Sequence, residues 1–190
     1  RYEFTMQAAT KRALLTNKII ITAVFIFGCG GISSAPRVDI WTAVSQGDVK
    51  VLRQHIIQGI DIDVREPTRG STLLIVAAVF GQIEAADLLM KNGADLEVRN
   101  NDGITALMGA AFFCNPEIVN LLLDHGANLN AKNYKTGKTA LGSVVDEWSP
   151  DLERFYTVLY GTIPMKLDLD RIKYTRPIIV DILRKRDEIG

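Results

Sequence analysis

The chain has 190 residues, of which 47% are hydrophobic and 23% are charged. This balance is typical of a globular protein and excludes an intrinsically disordered chain, and the length suits one compact domain with a tail. The 22 basic and 22 acidic residues cancel, so there is no bulk electrostatic attraction to nucleic acid or to an anionic membrane, and neither DNA nor RNA is an expected partner.

The amino-terminal segment has the pattern of an export signal. Met6, which we take as the start of translation, is followed by Lys11, Arg12 and Lys18, by an apolar run at residues 19–27, and then by small residues. The apolar run is far shorter than the roughly 20 residues that cross a bilayer, which favours an export signal over a transmembrane helix. Residues 1–35 are therefore expected to be a signal segment and a linker.

Residues 26–29 resemble the lipobox of bacterial lipoproteins, in which a small residue precedes a cysteine that is acylated and becomes the new amino terminus. Gly28 and Cys29 fit this pattern, whereas Phe27 is larger than the residue usually found at its position. Ordinary signal-peptidase cleavage after Gly31 or Ser33 is the alternative. The expected location is the bacterial periplasm, with the protein either soluble there or anchored through a lipid on Cys29. Since Cys29 is lipidated or removed in either case, no structural disulfide is expected.

The remainder of the chain repeats itself about every 33 residues. Glycines recur at steps of 33 or 34 residues in two series, Gly59, Gly93 and Gly126, and Gly70, Gly103 and Gly137. A fixed period of this size predicts a solenoid, in which each unit stacks on its neighbours because it cannot bury its apolar face alone.

One unit, at residues 101–130, closely resembles the ankyrin-repeat family, and the unit before it has the same residue types at matching places. The resemblance extends from Val38 to about Val145. Some positions depart from the family. In one unit, Leu73 and Ile75 replace the Pro and His that family members often carry after the Thr. The resemblance implies an all-α solenoid of about four helix pairs joined by short hairpin turns. The expected domain is 36–190, with repeats near 38–65, 66–99, 100–132 and 133–190.

Local residue chemistry predicts where the helices begin and end. Hydroxyl groups capable of capping a first helix recur at Thr72, Thr105 and Thr139. Asn115 and Pro116 are the expected N-cap and first-turn residues of a second helix. Gly59, Gly93 and Gly126 are expected just past a helix end, where a left-handed backbone conformation favours glycine.

The last repeat is interrupted. Its second helix is expected to resume at Arg176 and Pro177, in parallel with Asn115 and Pro116, which leaves 27 inserted residues within about 147–175. Ser149 and Pro150 begin an apolar pattern with helical spacing, so the insertion is expected to contain an amphipathic helix near residues 150–160. This helix is either a cap over the apolar end of the stack or a dedicated binding element.

We find no catalytic, metal or cofactor motif in the sequence. His55 and His125 have no neighbouring ligand at metal spacing, and Cys114 takes the place that Gly81 has in the preceding repeat, which predicts a buried thiol rather than a nucleophile. The acidic pairs at residues 61–63 and 95–97 lack the rest of a calcium loop, and their recurrence at the repeat period indicates a structural role.

In the ankyrin-repeat family the partner usually contacts the concave side, formed by the turn tips and the exposed end of each first helix. The resemblance carries this surface onto ten residues: Arg69, Phe80, Asp102, Ile104, Phe112, Phe113, Lys135, Lys138, Asp146 and Trp148. The four aromatic residues form a stripe rimmed by charges, which is the composition of a binding hot spot. Alternatively, these aromatic side chains pack beneath the insertion and are buried within the chain.

The expected function is that of a non-enzymatic module of the bacterial envelope that binds another protein. Two alternatives remain: a ligand-binding or enzymatic site in the insertion between Asp146 and Thr175, and a structural tether that holds an envelope enzyme near the membrane. A deep polar cleft containing a carboxylate with a strongly shifted pKa would favour the first alternative.

Overall fold

The computed structural model describes residues 38–160 and 168–189. Residues 1–37, 161–167 and 190 lie outside the described residues, and with them the predicted export signal, the Cys29 lipidation site and part of the insertion. Nine helices form in the described ranges: α1 (Ile40–Gln46), α2 (Val49–Ile57), α3 (Leu73–Phe80), α4 (Ile83–Lys91), α5 (Ala106–Phe112), α6 (Pro116–Asp124), α7 (Ala140–Val144), α8 (Pro150–Tyr160) and α9 (Leu169–Ile189).

The helices form a solenoid of four pairs, as the repeat predicts. The first helices α1, α3, α5 and α7 stack in sequence, and the second helices α2, α4, α6 and α9 form a parallel row behind them. Helix α8 is the predicted helical insertion within the last pair. Across the described residues no β-strand forms, so the predicted all-α class is confirmed, and none of the described helices is long and apolar enough to span a bilayer.

The threonine caps are confirmed in three repeats. The hydroxyl oxygens of Thr72, Thr105 and Thr139 each accept the backbone N–H three residues later, at 3.3, 3.3 and 3.1 Å. These bonds satisfy one of the N–H groups that a helix leaves unpaired at its start. The first helix of each of these repeats therefore begins at the same register.

The ends of the second helices follow the predicted glycine pattern. Gly59, Gly93 and Gly126 have φ angles of 82°, 87° and 87°, in the left-handed region. At the end of α5 the chain reaches the same region with Cys114, whose φ is 56°. A Cβ atom in this conformation costs about 1 kcal/mol relative to glycine, and the thiol is fully buried there.

Small and branched apolar residues fill the space between the two rows. Ala77, Ala78, Ala110 and Ala111 are completely buried, which lets neighbouring first helices approach closely. Leu122 of α6 is also completely buried and belongs to the continuous apolar core. Burial of this kind between repeats supplies the stability that a single helix pair lacks.

The second helix of the last repeat begins earlier than expected. Helix α9 starts at Leu169, because Asp168 accepts the backbone N–H of Arg171 at 2.9 Å and so provides a helix cap. Pro177, expected in the first turn, lies inside the helix, where it has no N–H to donate to the preceding turn. Ile179 and Leu183, beyond this proline, are buried, and α9 contacts both α6 and α7.

Candidate functional site

An open groove of about 1020 Å³ lies on the concave side of the stack. Residues of the turns at 66–71, 100–104 and 133–138 form one wall, and residues of the first helices form its floor. Leu152 and Phe155 of α8 line the groove at the last repeat. The insertion therefore contributes to this surface as well as covering the end of the stack.

The groove brings together nine of the ten residues predicted for partner contact: Arg69, Phe80, Asp102, Ile104, Phe112, Phe113, Lys135, Lys138 and Asp146. Trp148 is not among the lining residues. It stacks on Tyr156 of α8, with ring centroids 5.8 Å apart.

The aromatic stripe is divided between the groove surface and the interior. Phe80 and Phe112 are half-buried, whereas Phe113 is only 7% exposed and belongs to the core. Phe112 stacks on Tyr156 at 5.0 Å and meets Phe155 edge-on at 6.1 Å. These contacts are the packing beneath the insertion that the sequence offered as an alternative. Phe80 has no such ring contact among the described residues and lines the groove at the second repeat.

The charged residues on the rim are partly paired with one another. Lys135 reaches the Asp102 carboxylate at 3.1 Å, and Lys138 reaches the Asp146 carboxylate at 3.4 Å. All four side chains are about half exposed, so each pair is worth little free energy in water. Arg69 is also exposed, and within the described ranges its guanidinium has neither an ion pair nor a hydrogen bond.

Glu66 organises the turn that carries Arg69. Its carboxylate accepts hydrogen bonds from the backbone N–H groups of Thr68 and Arg69 and from the Thr68 hydroxyl. Burial alone would raise the pKa of Glu66, but these hydrogen bonds to the charged form outweigh it and lower the pKa. The carboxylate is thus bound within its own turn.

Two side chains that the sequence did not place among the site residues connect the insertion to the stack. Tyr156 of α8 is completely buried, and its hydroxyl donates to the Phe112 carbonyl at 2.8 Å. The hydroxyl accepts from Nη1 of Arg176 at 2.9 Å, and Arg176 also donates to the carbonyls of Ser143 and Asp146, both at 3.2 Å. Burial raises the pKa of Tyr156, which keeps the phenol protonated as a donor.

A third such residue, Arg171, binds the end of α5. Its guanidinium donates to the carbonyls of Cys114 at 2.7 Å and Phe113 at 3.1 Å. A cation is favourable there because the carbonyls at a helix end lack partners and carry partial negative charge. Burial raises the pKa of the neighbouring Cys114 thiol to about 11, against a smaller lowering effect of Arg176 and Arg171. The thiol is therefore protonated at neutral pH, which suits the predicted structural role.

Side-chain donors connect each repeat to the one before it. Gln82 donates to the Ser45 carbonyl at 2.8 Å, and Asn115 donates to the Ala78 carbonyl at 2.7 Å. Asn115 occupies the N-cap position of α6, but its side chain makes no cap hydrogen bond, contrary to expectation. In the last repeat the Tyr156 hydroxyl makes the corresponding contact with Phe112. The recurrence of Gln82 and Asn115 at the repeat period is a sequence signal that could have predicted this contact.

The paired acidic residues in the repeats bind backbone groups. Asp61 and Asp95 each accept the backbone N–H two residues later, while Asp63 accepts the N–H of Asp95 in the next repeat at 3.0 Å. Glu97 accepts the N–H of Asn128 at 2.7 Å in the same way. These contacts are the structural role that the repeat spacing predicts. Across residues 38–160 and 168–189 no three His, Cys, Asp or Glu side chains are grouped to hold a metal ion.

Comparison with known proteins identifies the repeat. Residues 40–133 match the family model for ankyrin repeats, in three copies. The match begins at α1 and ends in the turn that follows α6, so it covers the first three helix pairs. Among proteins with curated function, none matches the sequence.

Proposed function

This chain contains ankyrin repeats, and on that premise we propose that it is a protein-binding module of the bacterial envelope that holds its partner in the concave groove. Ankyrin repeats generally mediate protein–protein interactions and are typically non-enzymatic. The envelope location and the place of binding are the parts that we add.

The observation that carries the binding proposal is the composition of the groove surface. Half-buried Phe80, Phe112 and Ile104 lie beside exposed charged side chains from three successive turns. Apolar and aromatic anchors with a polar rim are typical of residues that contribute most of the free energy of binding at protein interfaces. Because the repeats hold these residues on helices and short turns, little ordering is needed when a partner binds.

Cross-linking in the native host tests where the partner binds. We expect a photoreactive phenylalanine analogue at position 80 to capture a discrete protein, identified by mass spectrometry. The same analogue at position 174 is the matched control, because Tyr174 is 74% exposed on α9 and does not line the groove. Equal capture of the same protein from both positions would place the contact elsewhere.

The affinity of the captured protein for variants of this chain then measures how much Phe80 contributes to binding. Phe80→Ala is expected to weaken binding by about 2 kcal/mol, roughly 30-fold, whereas Tyr174→Ala should leave the affinity unchanged. Phe113→Ala is unsuitable for this purpose, because removal of a core side chain also destabilises the fold. Circular dichroism of each variant checks that the helices remain intact.

The envelope location is a separate proposal that rests on residues 6–33. A basic stretch, a short apolar run and small residues support export, and the similarity of residues 26–29 to a lipobox supports a lipid on Cys29. The intact mass of the protein purified from its native host decides the matter. We expect the first 28 to 33 residues to be missing, with acyl chains on Cys29 if it is a lipoprotein. A mass that retains residues 6–27 in the cytoplasmic fraction would contradict export.

A further inference from the structure

Positively charged side chains outnumber negatively charged ones in the lining of the groove. The charged groups comprise three carboxylates, on Glu66, Asp102 and Asp146, and four cations, on Arg69, Lys135, Lys138 and Arg176. Asp102 and Asp146 pair with lysines. Glu66 accepts hydrogen bonds from neutral groups of its own turn, so it keeps its negative charge in the turn that also carries Arg69. Neither arginine forms an ion pair with a carboxylate in the described part of the chain.

The two arginines lie two repeats apart and differ in their surroundings. Arg69 stands on the rim of the second repeat, exposed and unpaired within the described residues. Arg176 lies at the last repeat and is 3% exposed. Its three hydrogen bonds go to the carbonyls of Ser143 and Asp146 and to the Tyr156 hydroxyl, all of them neutral groups.

A buried guanidinium with neutral partners keeps its full positive charge. Three of the five N–H donors of Arg176 are used in the named hydrogen bonds, so two are left. The surrounding protein screens a charge less than water does, so Arg176 makes the end of the groove next to α8 electropositive. The lining of the groove therefore carries one more positive than negative charge, and its cations outside ion pairs are the exposed Arg69 and the buried Arg176 at the end formed by Leu152 and Phe155.

We propose that the groove takes an acidic polypeptide segment that also carries apolar side chains. This inference rests on the proposed protein-binding function and specifies the chemistry of the partner. The carboxylates of the segment meet Arg69 and the electropositive end of the groove, while its apolar side chains lie on Phe80, Ile104 and Phe112.

The surface favours a polypeptide over a nucleic acid. A nucleic acid binds mainly through many phosphates and needs a correspondingly large set of free cations, whereas the groove has one more cation than carboxylate. Its apolar floor matches side chains of the Leu, Phe or Ile type. A peptide segment with a few carboxylates among apolar residues complements both the small excess of positive charge and the apolar floor of the groove.

Selection from a random peptide library displayed on phage, with the full-length chain as the target, tests the inference. We expect the enriched peptides to combine Asp or Glu with aromatic or aliphatic residues. Binding of one synthetic peptide should fall roughly tenfold with Arg69→Glu, because a favourable charge contact becomes a repulsive one. Arg53→Glu on α2 is the matched control, because Arg53 is exposed and does not line the groove. A peptide whose acids are replaced by their amides should bind both variants equally.

The outcomes separate this inference from the proposed function. If peptides bind and Phe80→Ala abolishes binding, yet they are neutral or basic, the acidic partner is wrong and the groove remains the binding site. If Arg69→Glu and Arg53→Glu have equal effects on an acidic peptide, the role of Arg69 in the inference is overturned. If no enriched peptide depends on Phe80, a peptide segment is not the ligand, while cross-linking at position 80 still decides whether the groove binds a folded partner.

Discussion

Tyr156→Ala is expected to lower the free energy of unfolding by about 3–5 kcal/mol, the range for removal of a fully buried aromatic side chain. The ring is 0% exposed and stacks between Phe112 and Trp148. Its removal opens a cavity where α8 meets the stack and also deprives the Phe112 carbonyl of a donor. Urea unfolding followed by circular dichroism measures the loss.

Tyr156→Phe is the matched control, because it keeps the ring and removes the hydroxyl alone. The Phe112 carbonyl and Nη1 of Arg176 then lose a buried partner, which should cost about 1–3 kcal/mol. A loss below about 1 kcal/mol for Tyr156→Ala would show that α8 is not part of the cooperative core. The insertion would then be a detachable element rather than a structural cap.

Leu122→Ala in the middle of the stack is expected to cost about 2–5 kcal/mol. Leu122 is completely buried on α6, in the core shared by the helices of neighbouring repeats. The truncation removes the favourable free energy of burying the deleted atoms away from water. It also leaves a cavity, because the neighbouring repeats hold the surrounding helices in place. The same denaturant titration measures the effect.

Leu123→Ala makes the same chemical change one residue further along α6, where the side chain is only half-buried. We expect its cost to be well below that of Leu122→Ala, because less apolar surface is re-exposed and water fills the space. Equal losses for the two variants would contradict the register of α6 against its neighbours.

The fold was predictable because it depends on short-range signals that recur. The Thr72, Thr105 and Thr139 caps act over three residues, and the glycines after the second helices act over one turn. These signals recur with a period of about 33 residues, so a signal that is weak in one unit is supported by the same signal in the next unit. The insertion helix Pro150–Tyr160 was predictable for the same reason, from a local cap and helical spacing.

The details of the last repeat were less accessible, because long-range contacts determine them. Arg171 binds carbonyls 57 and 58 residues earlier in the chain, and Tyr156 binds one that is 44 residues earlier. No spacing rule anticipates such contacts in a segment that occurs once. The start of α9 at Leu169 was likewise hidden, because the likeness of Arg176 and Pro177 to the start of α6 suggested a later beginning.

Most of the candidate partner surface followed from the family resemblance, which carries the turn tips and first helices of each repeat onto numbered residues. Nine of these ten residues line one groove. The sequence did not distinguish Phe112, at the surface, from Phe113, in the core. Both lie at the end of α5, where the backbone leaves the helix and simple periodicity no longer predicts which way a side chain points.

The donors that reach back from Gln82, Asn115 and Tyr156 also affect how the array opens. Each one joins a repeat to the unit before it, at 2.8, 2.7 and 2.8 Å. One repeat cannot separate from its neighbour without breaking a hydrogen bond as well as exposing apolar surface, so opening of a single unit is disfavoured. Strong coupling between adjacent units makes the array lose structure as a whole under denaturant, and fraying is confined to the outermost helices.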